Sequence, residues 1–404
     1  MPDSLIFSGL KVYSEQGVLN NTRVKITDGK IQEIHRGPAK NSSTEKALDF
    51  PESYHLIPGL IDLHVHGANG KDVMDGELDA LTTMSSALAA EGVTGFLATT
   101  MTTSVEKIER ALCVVRDFIR HQDQNAGAAI LGVHLEGPFI SPEKIGAQNR
   151  ENILPLKIDY IERWQKLSGH AIKIVTLAPE LPGSAEFIRY LQQQKIISSL
   201  GHTNATFAES CEAIAAGCSH VTHLFNAMRA IHQREPGVVT AALLADEVTV
   251  EMIIDGIHVH PALVQLVLRM KGKDKLVMVT DAMRAKCMHD GMYELGGQSV
   301  EVKEAVARLA DGTLAGSTLK MPVALQNIMK FTQCSLQDAV KMASENPAKI
   351  LGIFDKKGSI AVGKEADLVV LDENLQVVMT VIGGKMIPVN HQNSIKHEKL
   401  PLSS

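Results

Sequence analysis

Cysteine is scarce in this sequence. Five residues in 404, Cys113, Cys211, Cys218, Cys287 and Cys334, are scattered, odd in number and contain no C-x-x-C pair. That pattern argues against a disulfide scaffold or a thiolate metal knuckle and leaves buried, reduced thiols as the reading for all five. Any metal must therefore be held by imidazoles and carboxylates. Long apolar runs are also missing: the apolar segments are short and broken by Gly, Asp or His, so none reads as a transmembrane span. No block of lysine and arginine marks a nucleic-acid surface, since KHEK near the C-terminus is small and mixed and the net charge is a mild −6. The opening residues, MPDSLIFSGLKVYSEQG, lack the basic start and continuous apolar region of a secretory signal. The expectation is a cytoplasmic protein that engages neither nucleic acid nor membrane.

What is present is a large supply of core. With 45% hydrophobic and 21% charged residues, the chain reads as a soluble globular protein longer than one average domain. Eight short apolar runs recur between Leu60 and Ala282: LIDLHVHG, TGFLATTMTT, AILGVHLEGP, KIVTLAPE, IISSLGHT, HVTHLFN, VEMIIDGIH and KLVMVTDA. Between several of them lie stretches with apolar residues at helical spacing, such as ELDALTTMSSALAAEG, SVEKIERALCVVRDFIRH, SAEFIRYLQQQ and ATFAESCEAIAAG. A strand-then-helix unit repeated eight times predicts an α/β fold, a (β/α)8 TIM-like barrel with right-handed crossovers.

The polar residues of these runs fall at their C-terminal ends. In such barrels that rim carries the chemistry, and here it gathers His64 and His66, Glu136, His202, His223, His258 and Asp281. His64 and His66, two residues apart in a strand, point to one face, with Asp62 behind them. Glu136, His202 and His223 offer one oxygen and two imidazoles, a set suited to a divalent ion such as Zn²⁺ with a position left for water.

The flanks differ. Residues 1–55 and 356–390 show β-branched alternation with Gly and Asp-Gly turns, which predicts a small β-sandwich domain formed by both chain ends around a barrel at 56–355, with 391–404 as a flexible tail.

In chain order, PGLIDLHVHG, HLEGPFI, SLGHTNAT, THLFNAM, REPG, DGIHVHP, VTDAM and GTLAGS resemble the N-acetylglucosamine-6-phosphate deacetylase family of the amidohydrolase superfamily, and the resemblance extends over essentially the whole chain. HLEGPF, GHTNAT and THLFNAM carry it, because they differ from the ligand motifs of ureases, dihydroorotases and deaminases. The resemblance implies metal-dependent hydrolysis of N-acetyl-D-glucosamine 6-phosphate to D-glucosamine 6-phosphate and acetate. It places the catalytic metal on Glu136, His202 and His223, and a second ion on His64 and His66 with the glutamate bridging. One or two divalent ions per subunit are therefore expected, Zn²⁺ first and Fe²⁺, Co²⁺ or Mn²⁺ as alternatives.

Asp281 is the implied base that takes a proton from water and returns it to the departing amine. His258 is the implied sugar-contacting histidine and also polarises the carbonyl. Arg234 matches the phosphate-binding position, and Ala147, Gln148, Asn226, Ala227, Leu314, Ala315 and Gly316 match substrate-contacting segments. Gln148 departs from the residue some relatives carry there. His260 is expected to be structural, and His134, His220 and His232 to support or pack. The resemblance also implies a homodimer or higher homo-oligomer in which a neighbouring subunit lends a residue to the phosphate site. Competing readings are an amidohydrolase for a cyclic amide or for the galactosamine epimer, and a catalytically silent binding protein. The silent reading is disfavoured by the presence of Glu136, His202, His223 and Asp281.

Overall fold

A computed structural model describes residues 4–37, 46–122 and 127–387; the segment expected as a tail, 391–404, lies outside the described residues. Each of the eight apolar runs forms one strand of a parallel sheet hydrogen-bonded in chain order: Leu60–Val65, Val93–Thr100, Ala129–Glu136, Ile172–Leu177, Ile197–Leu200, His220–Val221, Thr249–Ile253 and Leu276–Val279. These strands are buried on both faces, which is why they read as continuous apolar runs rather than alternating ones. The first and last strands meet beyond the eighth, where Asp281 N donates to His64 O at 2.8 Å and His66 N to Ala282 O at 2.9 Å. The barrel closes at its C-terminal rim.

A helix follows every strand and seals its outer face. In Val105–His121, Ile108, Ala111, Leu112 and Val115 are buried at helical spacing, Ser104 caps the start by accepting from Lys107 N, and Arg120 and His121 occupy the last turn. The eighth unit delays its helix, Met321–Thr332, with an excursion the strand-helix reading had folded into the barrel. Gly291–Leu295, Gln298–Lys303 and Val306–Arg308 form an antiparallel meander whose first turn uses Gly296 and Gly297, both at positive φ. Leu295, Val300, Val302 and Ala307 pack there against Met101, Ala147, Met283 and Ala315. This small sheet becomes one wall of the site.

Both chain ends build the second body. Lys30–Arg36, Thr22–Thr27, Ser4–Ser8 and Lys46–Asp49 form one sheet; Lys385–Ile387, Val377–Ile382, Leu368–Leu371, His55–Pro58, Lys11–Ser14 and Gly17–Leu19 form the other. Phe7, Val24, Ile26 and Ile31 from the first pack on Val12, Leu56, Leu368, Val370 and Val381 from the second. The period-two burial of Thr22–Thr27 shows why the alternation was legible. Among the described residues no helix is long and apolar enough to cross a membrane.

Candidate metal centre and active-site cavity

Four imidazoles turn Nε2 toward one carboxylate. Glu136 ends the third barrel strand, and its Oε1 lies 3.2 Å from His202 Nε2, 3.0 Å from His223 Nε2 and 3.3 Å from His64 Nε2. Its Oε2 lies 3.3 Å from His66 Nε2. His64 and His66 leave the same face of the first strand with their Nε2 atoms 3.3 Å apart, as the alternation requires. Asp281 Oδ1 sits 3.2 Å from His66 Nε2 and 3.4 Å from His64 Nε2. Among the described residues three sets of three could hold a cation: Glu136 with His202 and His223, and His64 with His66 and Asp281, both beside the cavity, and His64 with His134 and Glu251, buried behind them. Glu136 faces both of the sets beside the cavity.

The donor chemistry fits a cation. In a tetrahedral site with bonds near 2.0–2.1 Å, adjacent ligand atoms stand roughly 3.3 Å apart. The His202 and His223 Nε2 atoms are 3.1 Å apart, and each is as close to Glu136 Oε1. Three of the four far nitrogens are anchored: His202 Nδ1 on Lys144 O at 3.0 Å, His66 Nδ1 on Thr99 O at 3.3 Å and His64 Nδ1 on Glu251 Oε2 at 3.1 Å, whereas His223 Nδ1 has no partner among the described residues. An Nδ1–H donated to an acceptor leaves the Nε2 lone pair facing inward, as ion ligation needs. His202, His223 and Asp281 hold φ values of 47°, 29° and 48°. Backbone of this kind costs about 1–3 kcal/mol per residue and persists where the surroundings enforce it.

The charges are strongly coupled. Burial would pull His66 down, but hydrogen bonds to Asp281 and Glu136 and their charges push it up to about 9. His64 is likewise raised well above its ordinary value against burial, by the charges of Glu136 and Asp281. Burial would raise Glu136, but the His64 and His202 charges hold it well below the usual carboxylate range. The cluster therefore has a high affinity for positive charge, which either protons or a divalent ion can satisfy.

A cavity of about 290 Å³ opens above the cluster. Its walls include His66, Glu136, His202, His223, His258 and Asp281, together with Ala147, Gln148, Asn226, Ala227, Leu314 and Gly316. His64 lies behind them, fully buried. Two expected contacts fall outside the lining. Ala315 is buried behind its neighbours, its N–H donated to Ala307 O at 3.1 Å, and Arg234 is exposed on the loop after the sixth strand. Gln148 Nε2 donates to Glu136 Oε2 at 2.6 Å while its Oε1 accepts from Thr102 N at 2.6 Å, so it orients the carboxylate from the cavity side.

His260, His134, His220 and His232, expected to be structural or supporting, have such partners. His260 caps the helix Pro261–Lys271 by accepting from Ala262 N. His134 sits between Leu63 O and Thr176 Oγ1, His220 faces Glu251, and His232 accepts from Arg234 N. Sequence reasoning missed Met101, Gly146, Leu295 and Thr313 in the cavity wall, and two carboxylates. Asp255 takes the backbone N–H groups of Ile257 and His258 on Oδ1, both at 2.8 Å, and His258 Nδ1 on Oδ2 at 2.6 Å. An Asp followed by Gly three residues before a rim histidine was a readable signal for that turn. Glu251, the second, was a charged residue inside an apolar strand, which requires buried partners.

The sequence profile of the Amidohydrolase family matches residues 55–387, which includes the whole barrel and this site. The chain belongs to the amidohydrolase family. Among its relatives, an N-acetylglucosamine-6-phosphate deacetylase of Bacillus subtilis (strain 168) is 46% identical over 387 residues, covering 96% of this chain and 98% of the relative. An N-acetylgalactosamine-6-phosphate deacetylase of Escherichia coli O157:H7 is 38% identical, covering 93% and 97%. The solved structure of a mutant N-acetyl-D-glucosamine-6-phosphate deacetylase from Mycobacterium smegmatis, in complex with N-acetyl-D-glucosamine 6-phosphate, matches with a TM-score of 0.88 at 31% identity, over 95% of this chain and 99% of that one. This amidohydrolase thus shares the architecture of that deacetylase over 95% of its length.

Proposed function

We propose that the protein hydrolyses the acetamide of N-acetyl-D-glucosamine 6-phosphate, giving D-glucosamine 6-phosphate and acetate. The observation that carries this is the meeting of Glu136, His202 and His223 at the floor of a cavity that also holds Asp281, in a chain 46% identical to a deacetylase for that substrate. Glu136, His202 and His223 would hold one divalent ion, and His64, His66 and Asp281 a second. Zn²⁺ suits imidazole and carboxylate donors, and Fe²⁺, Co²⁺ and Mn²⁺ share them. Such an ion supplies Lewis acidity and lowers the pKa of water toward roughly 7.

The chain's own groups do the rest. Burial would raise the Asp281 carboxyl, but in the ion-free protein the His64 and His66 charges hold it below the usual range, and a bound cation would supply that positive charge in their place, so it is ionised and able to take a proton from the attacking water. It then delivers that proton to the departing nitrogen. His258, oriented by Asp255, contacts the sugar and the carbonyl oxygen. Gln148, Asn226 and the backbone of Ala147, Ala227 and Leu314–Gly316 position the sugar phosphate. Arg234 is proposed to bind the phosphate, and its exposure outside this chain's own cavity suits a homodimer or higher oligomer in which it reaches a neighbour's substrate. A sugar phosphate as substrate suits a cytoplasmic enzyme of amino-sugar metabolism.

The test is acetate release from the substrate by purified protein supplied with Zn²⁺, Fe²⁺ or Co²⁺, with and without a chelator. Turnover that the chelator abolishes is expected, and no acetate with any of the ions overturns the proposal. The 38% identity to a galactosamine-6-phosphate deacetylase supports a second reading, preference for that epimer. Initial rates on both epimers at equal metal loading decide between them.

A further inference from the structure

We propose that Glu251 is a positioning residue that locks the His64 imidazole for ion binding, and that it thereby sets the affinity of the His64, His66 and Asp281 set separately from that of the other set. This deepens the two-ion reading above and rests on it. Glu251 lies within the seventh barrel strand, Thr249–Ile253, fully buried; it stands outside the two sets beside the cavity and groups with His64 and His134 behind them. Its Oε2 is 3.1 Å from His64 Nδ1 and 3.4 Å from the backbone N of His223, and its Oε1 is 3.0 Å from His220 Nε2.

An ionised carboxylate accepts only, so every nitrogen facing it must donate. Three nitrogens surround this carboxyl, and one of them, the backbone N–H of His223, can only donate to the same Oε2 that faces His64 Nδ1, so that oxygen serves as an acceptor. His64 must then carry its proton on Nδ1. When the ring is neutral, Nε2 is left as the lone pair, aimed at Glu136, His66 and Asp281, 3.3–3.4 Å away. The carboxylate's hold on the other set is weaker, because it touches only the main chain of His223 and leaves the His223 ring untouched. His220 completes the arrangement by taking the second oxygen. Its own Nδ1 has no hydrogen-bond partner among the described residues, so a proton moved to it breaks no existing bond.

That freedom separates two substitutions. In Glu251→Gln the amide oxygen can still accept from His64 Nδ1 and His223 N, while the amide N–H₂ donates to a His220 that has moved its proton to Nδ1. Orientation survives and the charge is lost. Glu251→Leu removes both.

Loss of an outer partner of a ligating histidine commonly costs 10–100-fold in metal affinity. The experiment titrates chelator-stripped wild-type, Glu251→Gln, Glu251→Leu and His64→Ala proteins with Co²⁺. Visible absorption bands and competition with a chromophoric chelator give two stepwise dissociation constants, and circular dichroism checks the fold. Expected is one constant weakened about 10–100-fold in Glu251→Leu, less in Glu251→Gln, with the other constant unchanged. Unchanged constants in both variants overturn the proposal, as does equal weakening of both constants, which marks Glu251 as barrel structure only. If Glu251→Leu does not fold, Glu251→Gln alone decides by the same criteria. A wild-type protein that binds a single ion, with His64→Ala no different, overturns the second-ion reading and this proposal with it, and leaves the Glu136 set standing.

Discussion

Replacing Asp255 with asparagine separates two jobs performed by one carboxylate. Asp255 Oδ1 receives the backbone N–H groups of Ile257 and His258, and an asparagine amide oxygen can receive them equally well. Oδ2 receives His258 Nδ1 at 2.6 Å, and there the variant presents an N–H to an N–H. The turn should therefore survive while the charge-assisted bond to the histidine is lost. Such a bond is worth about 1.5–3 kcal/mol. At 1.36 kcal/mol per decade, that is a loss of roughly 10- to 150-fold in kcat/KM if His258 works on the reacting substrate. Burial pulls His258 down, while Asp255 chiefly, and Asp281 after it, raise it above its ordinary value, so the imidazole of Asp255→Asn should also give up its proton at lower pH. Initial rates of acetate release measure the first effect, and NMR titration of the His258 ring the second. A variant with an intact fold, full kcat/KM and an unmoved titration would refute the role given to this pair.

Three further outcomes follow from the same geometry. Asp281→Asn should lower kcat by about 10²–10⁴ through loss of the general base, and a loss below about tenfold removes Asp281 from that role. In Glu136→Gln the four Nε2 atoms face a neutral amide, so elemental analysis should find the ion content and the activity falling together; a fully loaded variant contradicts the assignment. Asp72 is raised to about 6, first by burial and with Arg284 opposing. The stability contributed by its protonated form is fully present below the unfolded value near 4 and lost as pH rises through about 6, a cost of up to about 3 kcal/mol at neutral pH. Asp72→Asn keeps an acceptor for Met74 N, so thermal unfolding should show a gain at neutral pH that vanishes near pH 4, whereas destabilisation at neutral pH counts against the reasoning.

The barrel was legible because its strands are buried on both faces and end in polar residues at the rim, which leaves each as an apolar run with a punctuated end. His64 and His66 were legible as a pair because a strand repeats every two residues. The meander at Gly291–Arg308 was not distinguished, since its alternation reads the same as that of the terminal sandwich. Only packing of Leu295 and Val300 against Met101 and Ala147 sets it over the cavity. Glu251 announces that it needs a partner without naming it, because His64 lies 187 residues away in the chain. Arg234 was identified from resemblance alone, and within one chain it stands apart from the cavity it was expected to serve.

The most direct measurement is diffraction from crystals grown with Zn²⁺, recorded at the zinc absorption edge. An anomalous peak bonded to Glu136 Oε1, His202 Nε2 and His223 Nε2 is the expected result, with a second peak among His64, His66 and Asp281 at higher ion concentration. Peaks elsewhere, or these three side chains turned away from one another, would contradict a barrel whose rim grips a cation to activate water.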